Sequence, residues 1–252
     1  YKASEVNGNR LLALPKSNVF DTPYPYAKPN WVDDTVNGNS VKVMNFSSGN
    51  QWMLVDDHGD RLSMPGKFND WSVSMWLKWS GSGFDIFFSL RHPTRSSHTY
   101  QKITYYTSNG NSGLYGGYIL DSGWVNESFI PVNTYNTQNW HHVVFTVHNE
   151  ITEFGPTERN TIYFNGVKIS DYKTSNVSSF NDSNEATQLF SEMAILLGGM
   201  GDGNNIVSGA GNASYARDSF NGKMYDVKIY DKKLSADEAL NIYQNYTDNA
   251  GN

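Results

Sequence analysis

Residues 220–238, which read FNGKMYDVKIYDKKLSADE, decide the fold of this chain. Within them, residues 223–231 carry Val, Ile and Tyr between turn residues, which is typical of a β-strand. Ser235 and Glu238 form a capping box, in which the Ser hydroxyl accepts from the Glu backbone amide and the Glu side chain reaches back. An apolar face follows at helical spacing: Ala239, Leu240, Ile242 and Tyr243. The stretch predicts a strand followed by a short C-terminal helix that ends near Tyr246.

The strand pattern continues over most of the chain before this stretch. Short runs of Val, Ile, Tyr, Phe and Trp are separated by Gly, Asn, Asp and Ser, as in many strands joined by tight turns. The predicted strands cover residues 41–46, 51–55, 71–79, 85–91, 100–107, 114–121, 140–148, 161–164, 167–170 and 194–197. Asn165-Gly166 lies between two of these runs and predicts a type I′ hairpin turn, because both of its positions favour positive φ.

The composition excludes several classes of protein. The chain has 252 residues, no cysteine, 14% aromatic residues and only 17% charged residues. Without cysteine there is no disulfide, thiolate metal site or cysteine nucleophile. The net charge of −6 and the scattered Lys and Arg argue against nucleic acid as a partner. The apolar runs are far shorter than the roughly 18 residues that span a bilayer, so membrane insertion is not expected.

The chain divides into three parts by pattern. Residues 1–40 contain a Pro-rich stretch that favours extended or turn backbone, and we expect an irregular lead-in that packs on the domain. Residues 41–247 form one β domain, and residues 248–252 are a linker-like tail. The chain begins with Tyr1 and carries no apolar signal stretch, so we expect that it was cut from a longer precursor.

Three segments in order resemble a known family. Residues 68–78 (FNDWSVSMWLK) contain a Ser-x-Trp-x-Lys pattern, and residues 140–146 (WHHVVFT) with 162–166 (IYFNG) a Trp-His-His strand and a Tyr-x-Asn-Gly hairpin. Residues 220–238 add Phe-x-Gly, an Ile-Tyr pair and Leu-Ser-x-x-Glu. Together they resemble laminin-G-like domains of the concanavalin A-like lectin and glucanase superfamily. The resemblance implies an all-β fold: a two-sheet antiparallel jelly-roll sandwich with one concave face and one short C-terminal helix.

Catalysis is not expected from the sequence. Glycosidases of this superfamily carry a Glu-x-Asp-x-(x)-Glu strand, and a retaining enzyme needs two carboxylates about 5 to 5.5 Å apart. Three glutamates instead fall in a loop predicted between two strands: Glu150, Glu153 and Glu158. His141 and His142 are adjacent in a strand, so they point to opposite faces and do not bind one metal ion together.

Calcium is the cofactor that the resemblance implies, because laminin-G-like relatives often hold Ca²⁺ through loop carboxylates and backbone carbonyls. The best candidate ligands are Asp202, in the oxygen-rich loop 198–205 (GGMGDGNN), and Asp226, at the acidic position of the closing motif. The position before Asp226 is often acidic in relatives and is Tyr225 here. Two further candidates lie earlier in the chain: Asp56 and Asp57.

Sugar binding requires aromatic platforms for apolar sugar faces and polar groups for the hydroxyls. The middle of the chain supplies both, with several Tyr and Trp residues near Arg91, His92 and Arg95. The predicted carbohydrate-binding residues are Trp76, Arg91, Tyr106, Tyr118 and Trp124. Two alternatives are open for Trp76: a ligand contact on the concave face, or the structural tryptophan of the sandwich, since aromatic residues dominate sandwich cores.

The sequence favours a non-catalytic carbohydrate-binding or adhesion module of a larger cell-surface, secreted or virion-surface protein. Its partner would be a glycan or a glycoprotein. Two alternatives stay open. One is a structural or assembly domain of a viral capsid or fibre, whose aromatic surface meets protein neighbours. The other is a glycoside hydrolase of the same fold.

Overall fold

A computed structural model describes the backbone of residues 5–6, 9–10, 12–13, 29–47, 53–55, 70–79, 84–91, 99–108, 111–120, 123–131, 138–152, 155–174, 194–201, 216–217, 220–230 and 232–246. It describes the side chains of residues 29–47, 70–79, 85–89, 113–114, 138–148, 159–171, 197–199, 220–230 and 232–246. Within these ranges, no helix is long and apolar enough to cross a membrane.

The described residues form eighteen strands and one helix. In chain order they are β1 (Glu5–Val6), β2 (Asn9–Arg10), β3 (Leu12–Ala13), β4 (Asn30–Val36), β5 (Asn39–Phe46), β6 (Met53–Val55), β7 (Trp71–Trp79), β8 (Phe84–Arg91), β9 (Thr99–Ser108), β10 (Asn111–Leu120), β11 (Gly123–Pro131), β12 (His141–Thr152), β13 (Gly155–Phe164), β14 (Val167–Thr174), β15 (Ala194–Leu197), β16 (Met200–Gly201), β17 (Ala216–Arg217), β18 (Gly222–Tyr230) and α1 (Ala236–Asn245).

The strands build two large antiparallel sheets. One has six strands in the order β11-β10-β9-β8-β15-β6, and the other has eight, in the order β14-β13-β12-β7-β18-β5-β4 with β3 also paired to β18. Two short pairs, β1–β2 and β16–β17, lie outside these sheets. The predicted all-β, two-sheet antiparallel sandwich with one short C-terminal helix is confirmed.

The core lies between the two large sheets. In β7, every second residue faces inward, and one buried apolar cluster contains Trp71, Val73, Met75, Leu77 and Trp79. The Trp71 ring lies 5.9 Å from Phe88, and the Trp79 ring lies 5.4 Å from Phe87, both across the gap between the sheets. A register shift in β8 adds Phe87 as an additional residue, which lets two consecutive Phe side chains reach this core.

Packing explains both ends of the Phe-x-Gly motif in residues 220–238. Phe220 is fully buried and its ring contacts Phe46 at 5.3 Å and Phe87 at 5.1 Å. Gly222 lies where β18 passes β7, and a Cβ there would overlap the Lys78 carbonyl oxygen. The motif therefore fixes the first residue of β18, the strand that lies between β7 and β5 in the middle of the larger sheet.

A second apolar layer covers the outer face of the eight-stranded sheet. Helix α1 begins at the predicted capping box, where Ser235 accepts from the Glu238 amide at 3.2 Å and Glu238 accepts from the Ser235 amide at 2.9 Å. The Ser72 hydroxyl donates to the Lys232 carbonyl at 2.8 Å and accepts from the Leu234 amide at 2.9 Å. The apolar residues that close this layer come from strands, loop and helix: Val144, Tyr163, Tyr230, Leu234, Ala239 and Ile242.

Three parts of the chain differ from the prediction. The lead-in is not irregular throughout, because β4 pairs with β5 along its whole length and β3 pairs with β18. The loop predicted for residues 149–160 is instead an extended β12–β13 hairpin, in which Asn149 pairs with Glu158 and Glu150 with Thr157. Strand β11 was not predicted, because the polar run Asn126-Glu127-Ser128 interrupts its apolar residues. Residues 1–4, 248–252 and Glu153 lie outside the described residues.

Candidate functional site

Four of the predicted carbohydrate-binding residues lie on four adjacent strands of the six-stranded sheet. Arg91 is in β8, Tyr106 in β9, Tyr118 in β10 and Trp124 in β11, and these strands are neighbours in that order. Their backbone partners fix the register: Arg91 pairs with Thr99, Tyr106 with Gly113, Tyr118 with Val125 and Trp124 with Ile119. The register places Arg91, Tyr118 and Trp124 toward one end of these strands and Tyr106 toward the other end, where it pairs with Phe84. Trp124 pairs with Ile119 and not with Tyr118, so the positions of Tyr118 and Trp124 alternate between the two faces of the sheet. Only the backbone of these four residues is described.

Trp76, the fifth predicted residue, lies on the other sheet and under the helix. Its side chain is only 3% exposed, and its ring contacts Tyr246 at 5.0 Å, His142 at 5.2 Å and Tyr243 at 5.7 Å. A ring enclosed by three others has no open face for a sugar. This burial supports the structural alternative for Trp76 and does not support the ligand contact.

The predicted hairpin turn organises the two adjacent histidines. Asn165 and Gly166 both have positive φ, 49° and 78°, which confirms the type I′ turn. Asn165 also accepts from the His142 amide at 2.9 Å and donates to His141 Nδ1 at 3.2 Å. The side chain that makes the turn thus also ties it to the neighbouring strand β12.

His142 is the most perturbed titratable group beneath the helix. It is 1% exposed, and its Nε2 lies 2.8 Å from the Ser74 hydroxyl. Burial, together with the positive charge of Lys228, lowers the pKa of His142 to about 3, so the imidazole is neutral at ordinary pH. A Ser–His pair that is closed off from substrate does not support nucleophilic catalysis.

The metal candidates are only partly within the described residues. Asp202, Asp56 and Asp57 lie outside them. Asp226 has a positive φ of 49° at the point where the β18–β7 register shifts, and its carboxylate accepts from Lys228 at 2.5 Å. In the described part of the chain, no three His, Asp or Glu side chains are grouped as metal ligands. A calcium site at Asp202 and Asp226 stays a prediction.

Asp85 is a buried carboxylate that the sequence did not single out. It lies on β8, is 2% exposed, and its Oδ1 accepts from the Asn221 amide at 2.9 Å, immediately before β18 begins. Burial raises its pKa to about 6, although the hydrogen bond from Asn221 acts in the opposite direction. The Asp85 carboxylate therefore links the six-stranded sheet to residues 220–238, which enter the eight-stranded sheet.

A polar and aromatic patch lies on the part of the eight-stranded sheet beside Tyr246. Lys223 of β18 donates to Asp34 Oδ2 at 2.6 Å, and Lys78 of β7 lies 3.8 Å from the same oxygen. Tyr225 is two residues beyond Lys223 and makes an edge contact with Tyr246 at 5.6 Å. We call these residues, Asp34, Lys78, Lys223, Tyr225 and Tyr246, the lysine patch. Sequence reasoning missed it because Asp34 was assigned to the irregular lead-in.

Comparisons with known proteins support the fold. No protein-family model matches the chain, and no curated protein matches its sequence. Among solved structures, it is similar to domain 4 of AbnA, a GH43 extracellular arabinanase from Geobacillus stearothermophilus, in complex with arabinotriose. The TM-score is 0.56 at 15% identity, over 94% of this chain and 90% of that chain. The Ruminococcus gnavus IT-sialidase CBM40 bound to alpha2,3 sialyllactose matches with a TM-score of 0.54 at 13% identity, over 80% of this chain and 96% of that chain.

The receptor-binding domain of botulinum neurotoxin type G is a third similar structure. Its TM-score is 0.50 at 12% identity, over 94% of this chain and 46% of that chain. At these identities the likeness shows the fold, a jelly-roll β-sandwich, and not the activity. The narrower resemblance to laminin-G-like domains stays a prediction.

Proposed function

We propose that this chain is a non-catalytic carbohydrate-binding module of a larger protein outside the cell, on a cell surface or on a virion. One observation supports the proposal most. The candidate contacts Arg91, Tyr118 and Trp124 lie toward one end of β8, β10 and β11 in the same sheet, whereas Tyr106 of β9 lies toward the other end. A binding site built on paired strands is rigid, and aromatic and guanidinium side chains are suited to sugar faces and hydroxyls.

The solved structures with this fold supply further support. Two of them are described as complexes with sugars, one with arabinotriose and the other with alpha2,3 sialyllactose. The fold itself is therefore compatible with glycan recognition. The partner of this chain would be a glycan or the glycan of a glycoprotein.

Three of the described carboxylates support a non-catalytic role. Asp34, Asp226 and Glu238 each accept from a lysine of the same chain. A glycosidase instead needs one protonated and one free carboxylate that flank the same bond. The glycoside hydrolase alternative would be supported by turnover of a β-glucan that is lost when one carboxylate is replaced.

Calcium would act in this module as a structural ion. In the predicted site, Asp202 and Asp226 would supply carboxylate oxygens, and carbonyls of loop 198–205 would complete the coordination that Ca²⁺ prefers. Binding to the folded state alone would raise the melting temperature, and a chelator would lower it. An unchanged melting temperature in chelator would contradict this part of the proposal.

A glycan array tests the binding function, with the chain displayed in calcium and again in chelator. We expect binding to a defined set of glycans, with affinity reduced at least about tenfold in Arg91→Ala and in Trp124→Ala. Arg159→Ala is the matched control, because Arg159 pairs with Asp171 at 3.2 Å on the other sheet. No binding to any glycan, or equal losses in all three variants, would contradict the proposal.

One observation favours the assembly alternative. Trp31 is 40% exposed on β4 and Val167 is 61% exposed on β14, and these strands are the two edges of the eight-stranded sheet. Edge strands with exposed apolar side chains are suited to pairing with another chain. Sedimentation velocity discriminates, since an assembly domain should self-associate and Trp31→Lys should prevent it. A strict monomer that binds glycans would contradict this alternative.

A further inference from the structure

The lysine patch contains two opposed lysines. Their repulsion lowers the stability of the fold unless an anion neutralises part of their positive charge. Lys223 and Lys78 are directly opposite each other on the paired strands β18 and β7. Like charges at such positions repel, and the next pair on the same face of these strands, Tyr225 and Trp76, is aromatic. A sheet that keeps two opposed lysines beside two aromatic rings departs from the usual pairing, and such departures concentrate at functional sites.

One internal carboxylate compensates only part of this charge. Both ammonium groups approach the same oxygen of Asp34, at 2.6 and 3.8 Å, so the three side chains carry a net charge of +1. Burial raises the pKa of Asp34, but the hydrogen bond from Lys223, the Thr35 amide and the two positive charges outweigh it and hold the pKa below its usual value. Asp34 is therefore ionised, and each ammonium group has further donors for another anion.

The patch lies on the outer face of the eight-stranded sheet. Lys78 is two residues from Trp76 in β7 and pairs with Lys223 of β18, so the three positions share this face. Asp34 is in β4, which β5 and β18 separate from β7, and the long Lys78 side chain extends across these strands toward its carboxylate. Both lysine side chains keep 29% of their surface exposed, so part of each is accessible from this face.

We propose that the lysine patch is a binding site for the carboxylate of an acidic sugar, such as a sialic or uronic acid. The two ammonium groups would bind the carboxylate through charge-assisted hydrogen bonds. The partly exposed rings of Tyr225 and Tyr246 would contact the apolar face of the same sugar. This site is on the opposite sheet from Arg91, Tyr106, Tyr118 and Trp124 and would bind sugar in addition to them. The inference rests on the proposed function only in that its ligand is a sugar.

The test compares alpha2,3-sialyllactose with lactose, which differs from it by the acidic sugar alone. Both are titrated into the wild-type chain, Lys78→Gln, Lys223→Gln and the control Lys42→Gln. Lys42 is a matched control because it also pairs with an aspartate, Asp33 at 2.7 Å, but belongs to the other face of the sheet, since it alternates with Val43, which packs with Trp76 on the outer face. Glutamine is neutral and polar and keeps the first two methylenes of the lysine stem, so the variants are expected to fold.

We expect sialyllactose to bind more tightly than lactose. Lys78→Gln and Lys223→Gln should each weaken sialyllactose about tenfold, and Lys42→Gln should not. Added salt should weaken only the acidic ligand. If sugars bind and Arg91→Ala weakens them, but the lysine variants do not and lactose binds equally well, this inference is wrong and the proposed function stands. If neither sugar nor any array glycan binds, both are wrong.

Discussion

At the scale of the residue, two asparagines take the same backbone conformation but differ in what their side chains bind. Asn37 and Asn165 both have φ of 49° and are both followed by a glycine with positive φ. Asn37 is exposed at the β4–β5 turn, whereas Asn165 is hydrogen-bonded to His141 and His142. The pair separates the contribution of the turn from that of the side-chain contacts.

Asn165→Ala should therefore destabilise the fold more than Asn37→Ala. Both variants lose the residue that tolerates positive φ, at about 1 kcal/mol. Asn165→Ala also removes the acceptor of the His142 amide, which adds about 1 to 2 kcal/mol. Urea denaturation measures the difference, and equal losses in both variants would contradict this account of the turn.

Asp85 should make the stability of the fold depend on pH. Its folded-state pKa of about 6 lies above the ordinary value of 3.8, so between these values the folded state binds more protons than the unfolded state. The free energy of unfolding should therefore fall as the pH rises through this window, by about 3 kcal/mol. Asp85→Asn should remove this slope. A wild-type slope retained in the variant would show that another group causes it.

At the scale of the element, helix α1 is held by its first turn. The capping box at Ser235 is joined by an ion pair between Lys232 and Glu238, and Ser72 binds the chain just before the helix. Burial raises the pKa of Glu238, but Lys232 and the Ser235 contacts outweigh it and lower the pKa to about 2. The helix covers Trp76, so its attachment decides whether the outer layer stays closed.

Ser235→Ala should therefore loosen the attachment of α1 by about 1 kcal/mol, through loss of the N-cap. Because the Glu238 pKa is lowered, its contribution is present above pH 4.5 and is lost as the pH falls toward about 2. Glu238→Gln should remove this acid dependence, and Asp237→Asn, an exposed acid of the same turn, should not. Hydrogen exchange of the α1 amides measures both effects; protection unchanged in Ser235→Ala would contradict them.

Strands with a strong local apolar pattern were predicted well, and strands without one were not. Strands β7 and β15 have the predicted bounds, and the capping box sets the start of α1. Strand β4, by contrast, reads NWVDDTV, and its two aspartates are the partners of Lys42 on β5 and Lys223 on β18. Its strand character comes from long-range pairing, which a local pattern does not contain.

At the scale of the whole molecule, the order of the three motifs predicted the sandwich, because each motif fixes a contact between distant parts of the chain. Residues 71–79 form β7. Its two neighbours are β12, from the WHH motif, and β18, from residues 220–238. The sites were harder to predict, because facing inward or outward depends on the layers above each sheet. Trp76 alternates as an outward residue, yet α1 buries it.

The six-stranded sheet of this sandwich is the proposed carbohydrate-binding surface. The most direct measurement is backbone amide chemical-shift mapping during titration with the best-binding neutral glycan from the array. We expect the largest amide shifts in β8, β9, β10 and β11, around Arg91, Tyr106, Tyr118 and Trp124. Shifts confined to the eight-stranded sheet, or no shift with any glycan, would contradict it.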